Sequence, residues 1–160
     1  MIVKKSNNDF NKLVELLLEL KNNEIFQSYQ TFGTMFLFDL GQKAEKYTNG
    51  KLGFTGENAI IIENDTWNLL KNNDIIVSSK NEQKDIRKLV SNLVGKEIID
   101  FTFTPEAKLF TIIFSDDLKL DIALSGNKNR DIGIKLNSGN WVDIGPGYTW
   151  KEVTGDHVDE

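Results

Sequence analysis

The chain reads as an α+β domain, mainly antiparallel sheet of many short strands covered by two amphipathic helices, and three observations predict this. Two segments, 7–21 and 82–94, space their apolar residues as helices do. The regions 24–79 and 96–153 break instead into short apolar runs. Asn, Asp and Gly separate those runs, and these residues tolerate the backbone angles of tight turns, so successive strands should pair as antiparallel hairpins. A sheet of this kind has a face to bury, and two helices are available to bury it.

In the first helix Phe10, Leu13, Val14, Leu17 and Leu20 share one face, opposite Lys12, Glu15 and Glu19. Ser6 with Asp9 predicts its cap, and Asn22-Asn23 its end. Strands follow at 34–40, 51–54, 59–63, 66–70 and 75–78. Asn49-Gly50 is a tight-turn signal, and Leu70 to Ile75 reads as a hairpin tipped by Asn72-Asn73-Asp74. Ser79 and Glu82 have the spacing of a capping box for the second helix, where Ile86, Leu89, Val90 and Leu93 form the apolar face and Gly95 supplies the stop. Further strands are predicted at 96–104, 109–115, 118–124, 131–136, 141–144 and 148–153, with Pro105 and Pro146 in loops. Leu70–Ser78 and Leu136–Ile144 share a strand, polar tip, strand pattern, but hairpins in general share it, so it does not establish an internal duplication.

At 160 residues the chain is expected to be one domain, 1–160, with enough interior for a core. No run approaches the roughly 18 consecutive apolar residues of a membrane span, so no membrane partner is expected. The Leu-rich N-terminal run is broken by Glu15 and Glu19 and lacks a small-residue cleavage site, which makes cytoplasmic residence the expectation. The absence of cysteine excludes disulfides, thiolate metal sites and cysteine nucleophiles. The sole histidine, His157, lies in the acidic tail 154–160, so a catalytic triad or multi-histidine metal centre would depend on that one residue. No cofactor, metal site or catalytic residue is predicted. Residues 1–96 hold 13 basic and 12 acidic side chains, net +1, whereas residues 97–160 hold 6 and 12, net −6. An acidic second half disfavours nucleic acid and can steer a basic partner.

Asp116, Asp117 and Asp121 are the clustered carboxylates, but their spacing is not that of a calcium loop and the first two fall where a hairpin turn is expected. A period of two puts Asp117, Lys119 and Asp121 on one strand face, a docking surface or a solvated one. Gly145-Pro146-Gly147 lacks the rest of a phosphate loop and reads as a turn. Trp141, Tyr148 and Trp150 crowd into ten residues and, with Trp67, are the material of cores and of interface anchors alike. Ser28, Tyr29, Thr31 and Thr34 belong to no nucleophile motif.

Phe32-Gly33-Thr34, then Ile60 to Trp67, the capped helix ending at Gly95, a strand hairpin, and Ile134-Lys135-Leu136 onward to Gly145-Pro146-Gly147-Tyr148-Thr149-Trp150 resemble a group of small bacterial proteins similar to the immunity proteins of polymorphic toxin systems. The resemblance spans roughly 32–150 and rests on structural motifs. It implies a binder that neutralises a cognate toxin by occluding its active site. The expected partner is a basic protein toxin, met through Asp116, Asp117, Asp121, Trp141, Tyr148 and Trp150 by a monomer or weak dimer. A small-ligand or scaffold module is the alternative, and a carboxylate-dependent hydrolase ranks last.

Overall fold

A computed structural model describes residues 9–124 and 130–154. The Asp9 carboxylate caps the first helix by accepting from the backbone N–H groups of Asn11 and Lys12. Helix α1 (Phe10–Leu16) then tightens into a 3-10 turn, Leu17–Leu20, and Asn22 turns the chain with φ 68°. The helical segment is therefore shorter than the expected 7–21, and Ser6 lies outside the described residues.

Five strands follow: β1 (Ile25–Phe32), β2 (Met35–Thr48), β3 (Lys51–Ile62), β4 (Trp67–Lys71) and β5 (Asp74–Ser78). Helix α2 (Gln83–Ser91) leads to β6 (Ile98–Thr104), β7 (Leu109–Phe114), β8 (Leu118–Ala123), β9 (Ile132–Lys135), β10 (Trp141–Ile144) and β11 (Trp150–Val153). Strand β1 escapes the pattern of alternation because the register slips between Ile25 and Gln27. The expected strands 51–54 and 59–63 are one, since pairing runs on from Ile62 to Lys51 with a single slip. The capping box is corrected: the Ser79 hydroxyl accepts from the Trp67 N–H, and Glu82 makes no side-chain cap. Gly95 does adopt the left-handed conformation, φ 92°.

The strands form two antiparallel sheets, ordered β1-β2-β3-β9-β10-β11 and β5-β4-β8-β7-β6. Their apolar faces meet in one core, where the Phe36 ring lies 5.2 Å from Trp67 and Phe38 lies 5.9 Å from Phe114. The fold is mostly sheet with two short helices, broadly α+β. The two helices are short and cover the sheets only in part, because the sheets cover each other. The helices sit at the open edges. Helix α2 packs on edge strands β1 and β5, and the Ser28 hydroxyl donates to its Val90 carbonyl. Helix α1 packs on β6, stacks Phe10 on Phe103 at 4.0 Å, and takes the Trp150 indole N–H of β11 on the Asp9 carbonyl.

The connectivity repeats itself. The run α1-β1-β2-β3-β4-β5 recurs as α2-β6-β7-β8-β9-β10, and each half gives its last hairpin to the other half's sheet. At the junction Asn22 N–H donates to Ile98 O, matched by Gly95 N–H to Ile25 O; Ile25 N–H donates to Lys96 O, matched by Ile98 N–H to Asn23 O. Asn22 and Gly95 are both left-handed, and β1 and β6 both slip register at their second residue, Phe26 and Ile99. The hairpin pattern that could not establish a duplication was a true fragment of one, offset by strand exchange.

Candidate functional site

The two halves differ most in the hairpin each builds from its second and third strands. In β7–β8, Phe110 pairs with Ile122 twelve residues on; in β2–β3 the equivalent pair, Phe36 and Ile62, is 26 apart. The additional 14 residues form an arm. Strand β1 accompanies β2 only as far as Leu40, and β9 accompanies β3 only from Ala59, so among the described residues no strand flanks 42–57. At its base the register slips between Leu40 and Lys43. Gly41 takes φ 77° there, and a Cβ on Gly56 would stand 2.5 Å from the Leu40 carbonyl oxygen, so glycine alone permits the close approach that starts the arm.

Cross-strand pairs Glu45/Phe54 and Tyr47/Leu52 share one face of this ribbon. Tyr47 is 67% exposed, Leu52 53% and Phe54 47%. The near part of the arm leans on β1: the Lys43 ammonium lies 5.3 Å from the Phe26 ring centre and 5.8 Å from that of Phe54, and the Gln27 amide donates to Phe54 O at 2.8 Å. Beyond that contact Tyr47 and Leu52 project into solvent. Lys46 and Lys51 flank the Asn49-Gly50 tip, which carries no acid between them.

The shorter hairpin ends where the sandwich ends. Asp116 and Asp117, φ 63° and 61°, are its two turn residues. With Asn72 and Asn73 of the neighbouring tip they rim a hollow of about 520 Å³ whose apolar lining includes Ile99 and Ile113. Asp116 meets the Lys96 ammonium at 2.5 Å; that hydrogen bond, and then the charge itself, holds the carboxyl below the ordinary aspartate range. Asp121 stands apart on the outer face of β8, accepting from the Thr111 hydroxyl at 2.7 Å. The structure thus brings Asp116 and Asp117 together and leaves Asp121 separate.

The aromatic trio is divided. Trp150, 4% exposed, belongs to the core, whereas Trp141, 5% exposed, lies on the opposite face of the same sheet, 5.7 Å from the Arg130 guanidinium. Neither presents an anchor, which corrects the expectation for both. Tyr148 packs edge-on against Phe10 and Phe103 at 5.0 and 4.7 Å, and Trp67 is core, its indole N–H donating to Thr34 O. Arg130 binds Glu63 and Asp143, the latter at 2.7 Å, while lying flat over Gly133. Burial opposes its charge, but the two carboxylates outweigh that and raise its pKa. Gly145-Pro146-Gly147 joins β10 to β11, with Gly145 N–H donating to Thr149 O. Tyr29 is half exposed; burial, and then Asp39, push its phenol upward. His157 lies outside the described residues.

Sequence reasoning missed Tyr47, Leu52 and Phe54. The signal was available, because Asn49-Gly50 falls midway between Phe36 and Ile62, as it must if one long hairpin joins them. Among the described residues no three acidic or histidine side chains gather as a metal site, and no helix is long and apolar enough to cross a membrane. No known family, curated protein or solved structure matches the chain.

Proposed function

We propose that this protein works by surface recognition, as an immunity-type binder that neutralises a basic protein toxin. The observation that carries the reading is the β2–β3 arm. The sandwich does not need it, since the other half closes the equivalent hairpin 14 residues sooner. A two-stranded ribbon is marginal on its own in water, and this one also exposes three large side chains, Tyr47, Leu52 and Phe54. Exposed Tyr, Leu and Phe on a projecting element are what a partner's pocket takes up, and they replace the buried Trp141 and Trp150 as the anchors. The acidic second half, with Asp116 and Asp117 at its surface, adds long-range attraction for a basic partner.

The test is to co-express the chain with the product of the adjacent gene and score both co-purification and rescue of growth. Replacing residues 41–57 by the three residues Ser-Asn-Gly keeps the Leu40/Asn58 pair and gives the hairpin the same 12-residue spacing that the other half has between Phe110 and Ile122. The expected result is loss of rescue with the thermal midpoint within a few degrees of the parent. Full rescue by the armless chain sinks the arm's role; a metabolite-induced thermal shift without any protein partner would favour a ligand module instead.

A further inference from the structure

Where strands β1 and β9 stop pairing, their side chains take over. Gln27, Asp39, Ala59 and Lys135 stand opposite one another across β1, β2, β3 and β9, one cross-strand row on the sheet face turned away from the core. Three of the four reach the backbone of the arm. The Gln27 amide donates to Phe54 O at 2.8 Å, the Asp39 carboxylate accepts from the Gly56 N–H at 3.2 Å, and the Lys135 ammonium donates to Gly56 O at 3.1 Å. Phe54 and Gly56 are two residues apart, so their N–H and C=O groups turn to the same edge of β3, and the row meets that edge donor to acceptor at each point. Gln27 also donates to Asp39 at 2.5 Å, tying two of the three together. Ala59, 3% exposed, is the member with no side chain long enough to hold the arm away. The other half supplies the control. Counted from the same equivalent pairs, its row is Asp100, Ile113, Lys119 and Leu70. An isoleucine replaces the acceptor Asp39, a leucine replaces the donor Lys135, and a lysine fills the gap left at Ala59. No arm follows there, so the polar row and the arm occur together in one half and are missing together from the other.

We infer that Gln27, Asp39 and Lys135 are positioning residues for recognition: they hold the base of the arm on the sheet in one orientation, so that Tyr47 and Leu52 meet a partner already ordered. Without the row, a two-stranded ribbon would swing about Gly41 and Gly56, and fixing it on binding would cost affinity. The benefit to binding rests on the arm being the recognition element, as proposed above. The holding itself does not, since it is a property of the chain alone.

Amide hydrogen exchange read residue by residue on the purified chain tests the holding. Gln27→Met combined with Lys135→Met removes both donors to the arm at half-buried positions and leaves the Gly56 N–H, bonded to Asp39, as the reporter. That amide should exchange at least tenfold faster than in the parent, while Ile60 and Ile61, flanked by strands on both sides, keep their rates. Lys135→Arg alone, which retains a donor, should leave Gly56 at the parent rate. An unchanged Gly56 rate in the double variant overturns the inference. So does acceleration that spreads to Ile60 and Ile61, which would make the row a support of the sheet as a whole. Against the partner obtained by co-expression, the double variant should dissociate at least tenfold faster, with the thermal midpoint of the free chain within a few degrees of the parent. Equal dissociation rates would remove the positioning role even if the arm is held. Full rescue by the armless chain is a different failure: it takes away recognition by the arm, and the positioning role with it, while the exchange result on the free chain stands.

Discussion

Set side by side, the hairpins β2–β3 and β7–β8 are one element built to two lengths. Up to the edge of the sandwich they agree: Phe36 and Phe110 are buried at equivalent places, as are Ile62 and Ile122. Past that edge one turns at once on two left-handed aspartates and the other runs on through Gly41 and Gly56 into solvent. What the halves share is what the core requires. What one has alone is a candidate for recognition, and that is how the arm is distinguished from ordinary surface.

The comparison can be broken most forcefully in the core. Phe36→Ala and Phe110→Ala should each cost about 3–5 kcal/mol in urea unfolding, by similar amounts and in a single transition, because each half's sheet contains the other's hairpin. Two separate transitions, or a loss confined to one variant, would mean that the halves are not equivalent. Next comes the base of the arm. Gly56→Ala forces a methyl against the Leu40 carbonyl and should cost roughly 1–3 kcal/mol. Gly53→Ala, whose nearest neighbour would be Lys46 O at 3.7 Å, should be neutral or slightly stabilising, and equal effects at the two glycines would refute the account of the bulge. The smallest effect lies at the other tip. Lys96 lowers the Asp116 pKa in the folded state, so the pair's contribution is present above the unfolded value of about 3.9 and is lost as pH falls through the depressed folded one. An NMR titration should place the Asp116 carboxyl below that value in the parent and return it towards about 3.9 in Lys96→Met; no movement would remove Lys96 as the cause.

Local chemistry was legible in the sequence where a single residue type decides the backbone. Asn49-Gly50, Asn72-Asn73 and Asp116-Asp117 all turn as their composition predicts, and the helices start close to Phe10 and Gln83. The exchange of hairpins was not legible, because strand pairing across 47 to 76 residues leaves no local trace, and equivalent positions keep burial rather than identity, as with Leu13 and Ile86. The site was misplaced for a related reason. Proximity in sequence grouped Trp141 with Trp150, but Trp141 stands opposite Val153 and Trp150 opposite Ile144, which assigns the two indoles to opposite sides of the sheet. The apolar arm residues, in contrast, alternate with Lys, Thr and Gly, a pattern that a solvated strand also shows.

Because β4–β5 lies beside β8 and β9–β10 lies beside β3, each repeat is incomplete without the other. Fusing two copies of a half-length chain that had exchanged their terminal hairpins would give this topology, with α2 as the seam. A gene cut ahead of that helix should therefore yield two fragments that are insoluble apart and recover structure only on being brought together.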